Sequence, residues 1–134
     1  IPEVVERIVR LSDGLRQKKL TLPIQGDGRE TRAFCHVTDG ARGALLAGER
    51  GGSGEVYHVG REDEVAIGAL IERIGAVLGV ELTLVPGERP AGGTPRRCPA
   101  IGKLRGLGYA PAIDLDAGLA ETVAWYRDAC LKAR

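Results

Sequence analysis

Two arginines near glycine-rich turns are the side chains in this sequence best suited to bind an anion. Arg32 lies shortly after the Gly-Asp-Gly turn at 26–28, and Arg89 lies in a long segment rich in proline and glycine. A planar guanidinium forms forked hydrogen bonds with a phosphate group, so both positions indicate phosphate recognition. For Arg32 the alternative is a structural ion pair with Asp27 or Asp39.

Segment 86–105 concentrates positive charge. It holds five bases and one acid, whereas segment 47–85 holds seven acids and three bases. A loop longer than about 12 residues inside a compact domain is often functional, and a basic loop favours an anionic ligand. The five bases are Arg89, Arg96, Arg97, Lys103 and Arg105.

Other chemistry has weaker support in the sequence. His36 and His58 both fall in predicted strands without a second ligand at metal spacing, so packing or a hydrogen bond is expected and no metal site is predicted. No serine stands in a Gly-x-Ser-x-Gly elbow. A reactive thiol at Cys98, beside Arg97, is an alternative to an inert one. The glycines of 48–54 follow a predicted helix and precede a predicted strand, the reverse of a dinucleotide-binding turn.

Alternating helical and strand-like segments must position these residues. Helices are predicted from Pro2, from a cap at Thr38 or Asp39, over 67–78 with a stop at Gly79, over 100–107, and after a cap at Asp114. Strands are predicted over 20–25, 30–37, 55–59 and 81–85. The fold class is therefore α/β, locally α+β, with no internal repeat.

Apolar residues at helical spacing predict which faces are covered. On the helix after residue 38, Ala41, Ala44 and Leu45 are expected to face inward. The last helix should bury a face of Leu115, Leu119, Val123 and Tyr126. The stripe Val4, Val5, Ile8 and Val9 on the first helix is expected to form an exposed apolar surface that packs on a neighbouring domain.

Composition limits the class of protein. The chain has 134 residues, 43% apolar and 28% charged, with a net charge of +1, which fits one folded domain rather than a globally basic nucleic-acid binder. No apolar run is long enough to cross a membrane. Three cysteines without metal or disulfide spacing favour a reduced, cytoplasmic protein. The chain opens with Ile1 and contains no Met, so we expect it to belong to a longer protein.

Six segments in a fixed order resemble the C-terminal part of the extended short-chain dehydrogenase/reductase family, the NAD-dependent nucleotide-sugar epimerases and dehydratases. The resemblance covers nearly the whole chain. The segments are Ile1-Pro2 with the Gly-Asp-Gly turn, Arg32-Ala33-Phe34-Cys35-His36-Val37-Thr38-Asp39, Tyr57-His58-Val59-Gly60, Arg89-Pro90 with Pro99-Ala100-Ile101-Gly102-Lys103, Leu107-Gly108-Tyr109-Ala110-Pro111, and Gly118-Leu119 with Thr122-Val123-Ala124-Trp125-Tyr126.

The resemblance implies that residues 1–134 form a small substrate domain. A nucleoside diphosphate-sugar would be the ligand, with Arg32 and Arg89 as its diphosphate contacts. The strand residues Leu22, Pro23, Ile24 and Gln25 would line the base and ribose, and His58 would stand near the phosphate. Ala33, His58 and Ala100 depart from the Asp, Asn and Asp that are common in relatives.

The resemblance also implies what another part of the polypeptide must supply. NAD would be bound by an N-terminal Rossmann domain that is absent from this chain, and no Tyr-x-x-x-Lys pair for hydride chemistry occurs in it. The segment would belong to an enzyme yet position only the substrate. The base, the sugar, the choice between epimerase, dehydratase and decarboxylase, and whether the parent is a homodimer stay open. The alternatives are a freestanding anion- or RNA-binding module using segment 86–105, and a folded but inactive fragment.

Overall fold

A computed structural model describes residues 1–89 and 91–133 as a mixed α/β arrangement. The elements in chain order are α1 Pro2–Leu11, β1 Lys19–Ile24, β2 Thr31–Ala33, α2 Val37–Arg50, β3 Glu64–Ala66, α3 Ile67–Leu78, β4 Glu81–Pro86, β5 Arg96–Arg97, α4 Gly102–Arg105 and α5 Leu115–Lys132. None of the helices formed by the described residues has the length and apolar character needed to cross a membrane.

Two small sheets organise the strands. β1 and β4 pair in parallel from Lys19 opposite Glu81 to Ile24 opposite Pro86. β2 lies between an antiparallel β3 and a parallel β5. The predicted mixture of strands and helices is thus confirmed, although the strands form two short sheets.

The hydrophobic core lies where α1, α3 and α5 meet β1 and β4. Val5 and Ile8 are fully buried, Val9 is 2% exposed, and Val4 is half-buried against the same core, so the stripe on α1 packs inside this chain. The prediction that this stripe forms an exposed docking surface is therefore wrong. The cause is α5, whose predicted apolar face, including the buried Leu119 and Val123, covers α1.

Elements with strong local signals form where they were predicted. α1 begins at Pro2, and α3 ends at Gly79, which adopts the left-handed conformation with φ 68°. The Asp114 side chain caps α5 by accepting a hydrogen bond from the backbone N–H of Ala117 at 2.8 Å. These ends depend on a single residue type each, which is why the sequence reveals them.

The short strands differ from the prediction. Segment 55–59 is irregular, because Tyr57 folds onto a second cluster formed by Ile101, Leu104 and Tyr109 instead of joining a sheet. The predicted strand 30–37 shortens to β2, since His36 caps α2: its Nδ1 accepts the N–H of Thr38. The predicted helix 100–107 shortens to α4, while β3 and β5 arise only from pairing with β2.

α2 buries a different face from the one predicted. Ala41, Ala44 and Leu45 are exposed, and the buried positions are Asp39 and Gly43. A Cβ added at Gly43 would lie 2.6 Å from the side chain of Val59, so only glycine allows this close approach. Hydrophobic pattern alone pointed to the alanines because a buried glycine adds nothing to an apolar stripe.

Candidate functional site

One pocket of about 310 Å³ brings together several of the residues predicted to bind substrate. It is lined by side chains from α1, the end of β1, β2, the start of α3 and the loop that follows β4. Arg32 and Arg89 both line it, and so do Ile24 and Gln25. The volume lies in the range of small-molecule sites, which starts at about 300 Å³.

Backbone carbonyls hold the Arg32 side chain in the pocket. One guanidinium nitrogen donates to the carbonyl oxygen of Thr31 at 2.7 Å, and the other donates to that of Thr94 at 2.8 Å. Within residues 1–89 and 91–133, no carboxylate forms an ion pair with Arg32: Asp27 pairs with Arg29 and Arg89, and Asp39 pairs with Arg42. The alternative that Arg32 is a structural ion-pair residue is therefore wrong.

Arg89 reaches the same pocket through the turn at 26–28. The backbone N–H of Gly26 donates to the carbonyl of Glu88, and the N–H of Gly87 donates to the carbonyl of Gly26, both at 3.1 Å. These two bonds extend the β1–β4 pairing and fix the chain next to Arg89. Gly28 has φ 75°, and a Cβ there would lie 3.1 Å from the Cα of Gly68, so glycine is required on both counts.

Two acids neutralise Arg89. Its Nε lies 3.1 Å from a Glu30 oxygen and one terminal nitrogen lies 3.5 Å from Asp27. The Glu30 side chain is only 12% exposed. The backbone N–H of Arg29, together with the guanidinium of Arg89, holds the pKa of Asp27 below its usual range. Arg89 thus presents a shared charge at the pocket, whereas Arg32 presents an unshared one.

Three of the predicted contacts lie elsewhere. Leu22 is 1% exposed and belongs to the core. Pro23 does not line the pocket, although its carbonyl oxygen accepts a hydrogen bond from Arg7. His58 is exposed in the irregular segment and does not line the pocket that contains the arginines. Only the C-terminal end of β1 reaches the pocket, so Ile24 and Gln25 line it, whereas Leu22 and Pro23 lie earlier in the strand.

The basic segment 86–105 is mostly neutralised by acids from earlier in the chain. Arg96 lies 2.7 Å from Glu64, and Arg105 lies 2.8 Å from Glu62. Lys103 pairs with Glu55. The Thr31 hydroxyl and the Arg96 guanidinium hold the pKa of Glu64 below its usual range. The charge imbalance in the sequence therefore does not produce an open basic surface of the kind that RNA binding needs.

The remaining chemistry-bearing candidates have structural roles. Cys98 is half-buried, and its thiol donates to the carbonyl of Glu62 at 3.6 Å. Burial, with Cys35 nearby, raises the pKa of Tyr109 to about 12, and its hydroxyl donates to the carbonyl of Gly60. Residues 1–89 and 91–133 contain no group of three or more His, Cys, Asp or Glu side chains suited to a metal ion.

Sequence reasoning missed three charged residues of the pocket, which are Glu3, Arg7 and Glu30. Arg7 lies on α1, and one of its guanidinium nitrogens donates to the carbonyl of Pro23 at 2.7 Å. Glu30 partners Arg89. A charge on the polar side of an amphipathic helix gives no signal in the sequence beyond solvation, so Arg7 could not be singled out there.

Comparison with known proteins matches this chain to enzymes that act on sugar nucleotides. Residues 1–60 match the model of the NAD dependent epimerase/dehydratase family. A dTDP-glucose 4,6-dehydratase from Actinoplanes sp. is 39% identical over 122 residues, which are 90% of this chain and 37% of that protein. The chain thus spans little more than a third of this relative.

Solved structures agree with the sequence comparison. A dTDP-glucose 4,6-dehydratase from Streptomyces venezuelae, with NAD bound, is 34% identical with a TM-score of 0.79; the match covers 96% of this chain and 38% of that one. A UDP-glucose 4-epimerase from Thermotoga maritima, solved with UDP-glucose, is 26% identical with a TM-score of 0.79, covering 95% and 38%.

Proposed function

Since the chain belongs to the NAD-dependent epimerase/dehydratase family of extended short-chain dehydrogenases/reductases, we propose that it is the C-terminal, nucleotide-sugar-binding domain of such an enzyme. The observation that carries this proposal is the pocket shared by Arg32, Arg89, Ile24 and Gln25. The two arginines come from segments far apart in sequence, and the fold brings them to one cavity.

The pocket offers different chemistry at its two sides. The guanidiniums of Arg32 and Arg89 suit a diphosphate, which carries about two negative charges, because each can donate forked hydrogen bonds. Ile24 offers an apolar surface, and the Gln25 amide offers both a donor and an acceptor to a base or ribose. Leu22, Pro23 and His58 lie outside the pocket, so we leave them out of the proposed contact set.

The role of the domain is to position the substrate. NAD supplies hydride chemistry in this family, yet the described residues do not fit it. The glycine-rich segment at 48–54 begins inside α2 and leads into an irregular segment, so no helix N-terminus follows it to face a pyrophosphate. We propose that an N-terminal Rossmann domain binds NAD, while this domain orients the sugar nucleotide and excludes water from it.

Binding measurements on the 134-residue chain test this function. We expect isothermal titration calorimetry to detect binding of at least one nucleoside diphosphate among UDP, dTDP, GDP and CDP. NAD serves as the control and should not bind in the micromolar range. Absence of binding by all four diphosphates would reject the proposed site, and micromolar NAD binding would reject the domain assignment.

The apolar outer face of α2 is exposed, which favours a neighbouring domain that covers it. Val37 is 77% exposed and Leu45 is 66% exposed, and Ala41 and Ala44 lie exposed between them. The inner face packs on Val59, Leu104 and Tyr109 through Gly43. We propose that this outer face, rather than α1, packs on the Rossmann domain. An open reading frame that extends about 150–200 residues upstream of Ile1 would support the presence of that domain, because this is an ordinary domain size.

Substitution of Leu45 tests the exposed face. The 134-residue chain should self-associate at high concentration through this uncovered apolar surface, and Leu45→Asp should shift it toward the monomer. Sedimentation velocity over a concentration series measures the effect. Leu131→Asp on α5, where the leucine is 40% exposed, is the matched control. Equal association by the wild type and the Leu45→Asp chain would argue against the proposal.

A further inference from the structure

We propose that Arg7 is a third anion-binding arginine of the pocket and that it contacts the diphosphate together with Arg32. This inference rests on the proposed function and extends it to a residue of α1 that the sequence motifs do not single out. Arg7 lines the same pocket as Arg32 and Arg89.

The backbone fixes Arg7 at the pocket. Val5, Ile8 and Val9 anchor α1 in the core, so the position of Arg7 on this helix is set by packing. One terminal guanidinium nitrogen then donates to the Pro23 carbonyl at 2.7 Å, at the end of β1. The guanidinium has five N–H donors, and a single carbonyl leaves most of them available to a ligand.

Arg7 and Arg32 differ from Arg89 in the charge of the groups that they contact. Arg89 is neutralised by Glu30 and Asp27. Arg7 and Arg32 are held by carbonyl oxygens, and neither forms an ion pair with a carboxylate of the part of the chain that the structure describes. Glu3, one turn before Arg7, lines the pocket without pairing with it. A cavity that faces two such charges favours an anion.

The unshared charges define the ligand class. Two guanidiniums without carboxylate partners match the roughly two negative charges of a diphosphate and its fork-shaped acceptors. A neutral nucleoside gains nothing from them. We therefore assign to Arg7 and Arg32 the binding of the negative charges of a nucleoside diphosphate. Arg89 would also contact the diphosphate, but its positive charge is shared with Glu30.

Calorimetric titration of the 134-residue chain with dTDP and UDP tests the assignment. Arg7→Gln should raise the Kd of whichever diphosphate binds by about ten- to a hundredfold, the range for a lost charge-assisted hydrogen bond. Arg7→Lys should lose less, because it keeps the charge but not the fork. Arg127→Gln, which removes a charge paired with its neighbour Asp128 outside the pocket, should change the Kd less than twofold.

Each remaining outcome decides against the inference in a distinguishable way. An unchanged Kd in Arg7→Gln, with a raised Kd in Arg32→Gln, overturns the role of Arg7 and leaves the proposed function standing. Equal losses in Arg7→Gln and Arg7→Lys would show that the charge of Arg7 does not bind the diphosphate, which overturns the charge recognition assigned to it. No binding by the wild-type chain overturns the proposed function and this inference together.

Discussion

Replacing Arg32 with alanine is expected to raise the dissociation constant of the bound nucleoside diphosphate by about ten- to a hundredfold. The reason is the loss of a charge-assisted interaction worth roughly 1.5–3 kcal/mol in a partly closed pocket. Arg32 is held by the carbonyls of Thr31 and Thr94 and carries no carboxylate partner, so its charge is available to the ligand. Isothermal titration calorimetry of both chains measures the change.

Two further variants make the Arg32 result specific. Arg32→Lys should recover only part of the affinity, because a point charge cannot form the fork. Arg16→Ala removes an exposed arginine that pairs with Asp13 away from the pocket, and should leave the dissociation constant unchanged. An Arg32→Ala chain that binds the diphosphate as tightly as the wild type would remove Arg32 from the site. Circular dichroism checks that the variant retains its helices.

Local signals explain why much of the fold could be predicted. Pro2 starts α1, Gly79 ends α3 in the left-handed conformation, and the Asp114 side chain starts α5. Each signal acts on backbone groups within a few residues, so it can be seen without tertiary structure. β3 and β5 have only three and two residues and depend on their pairing with β2, which is why no sequence pattern indicated them.

The pocket residues likewise fall into those that a local motif predicts and those that depend on contacts between distant segments. The Gly-Asp-Gly turn and the arginine after it form a recognisable motif, and Arg32 with Gln25 does line the cavity. Ion pairs between distant segments gave no signal: Arg89 meets Glu30, and Arg96 meets Glu64. The net charge of a segment therefore overstated the exposed positive charge, because the partners lie more than 30 positions away.

Asp39 is the side chain whose loss is expected to cost the fold most among the polar residues. It is 1% exposed, and its carboxylate accepts hydrogen bonds from the backbone N–H groups of Ala112 at 3.0 Å and Ile113 at 2.9 Å. Arg42 lies 3.6 Å away. These bonds tie the start of α2 to the segment that leads into α5.

Asp39→Ala is expected to lower the free energy of unfolding by about 2–4 kcal/mol, since it removes the buried acceptor of two backbone N–H groups. Such a loss is a large part of the 5–15 kcal/mol typical of a domain. Urea denaturation followed by circular dichroism measures it at neutral pH. Asp116→Asn, which alters an exposed acid paired with Arg73, is the control and should change the free energy by less than about 1 kcal/mol.

Acid titration provides a second, independent measure of the same residue. Burial by itself would raise the pKa of Asp39, but the N–H groups of Ala112 and Ile113, with Arg42, outweigh burial and lower it. A folded-state pKa below the unfolded value means that the stabilisation is present above about pH 4 and is lost as the pH falls through the lower, folded value. The difference in unfolding free energy between the wild type and Asp39→Asn should therefore shrink on acidification. A difference that stays constant from pH 7 to pH 3 would show that the charge of Asp39 does not contribute to the free energy of unfolding, and that only the size and shape of this side chain matter.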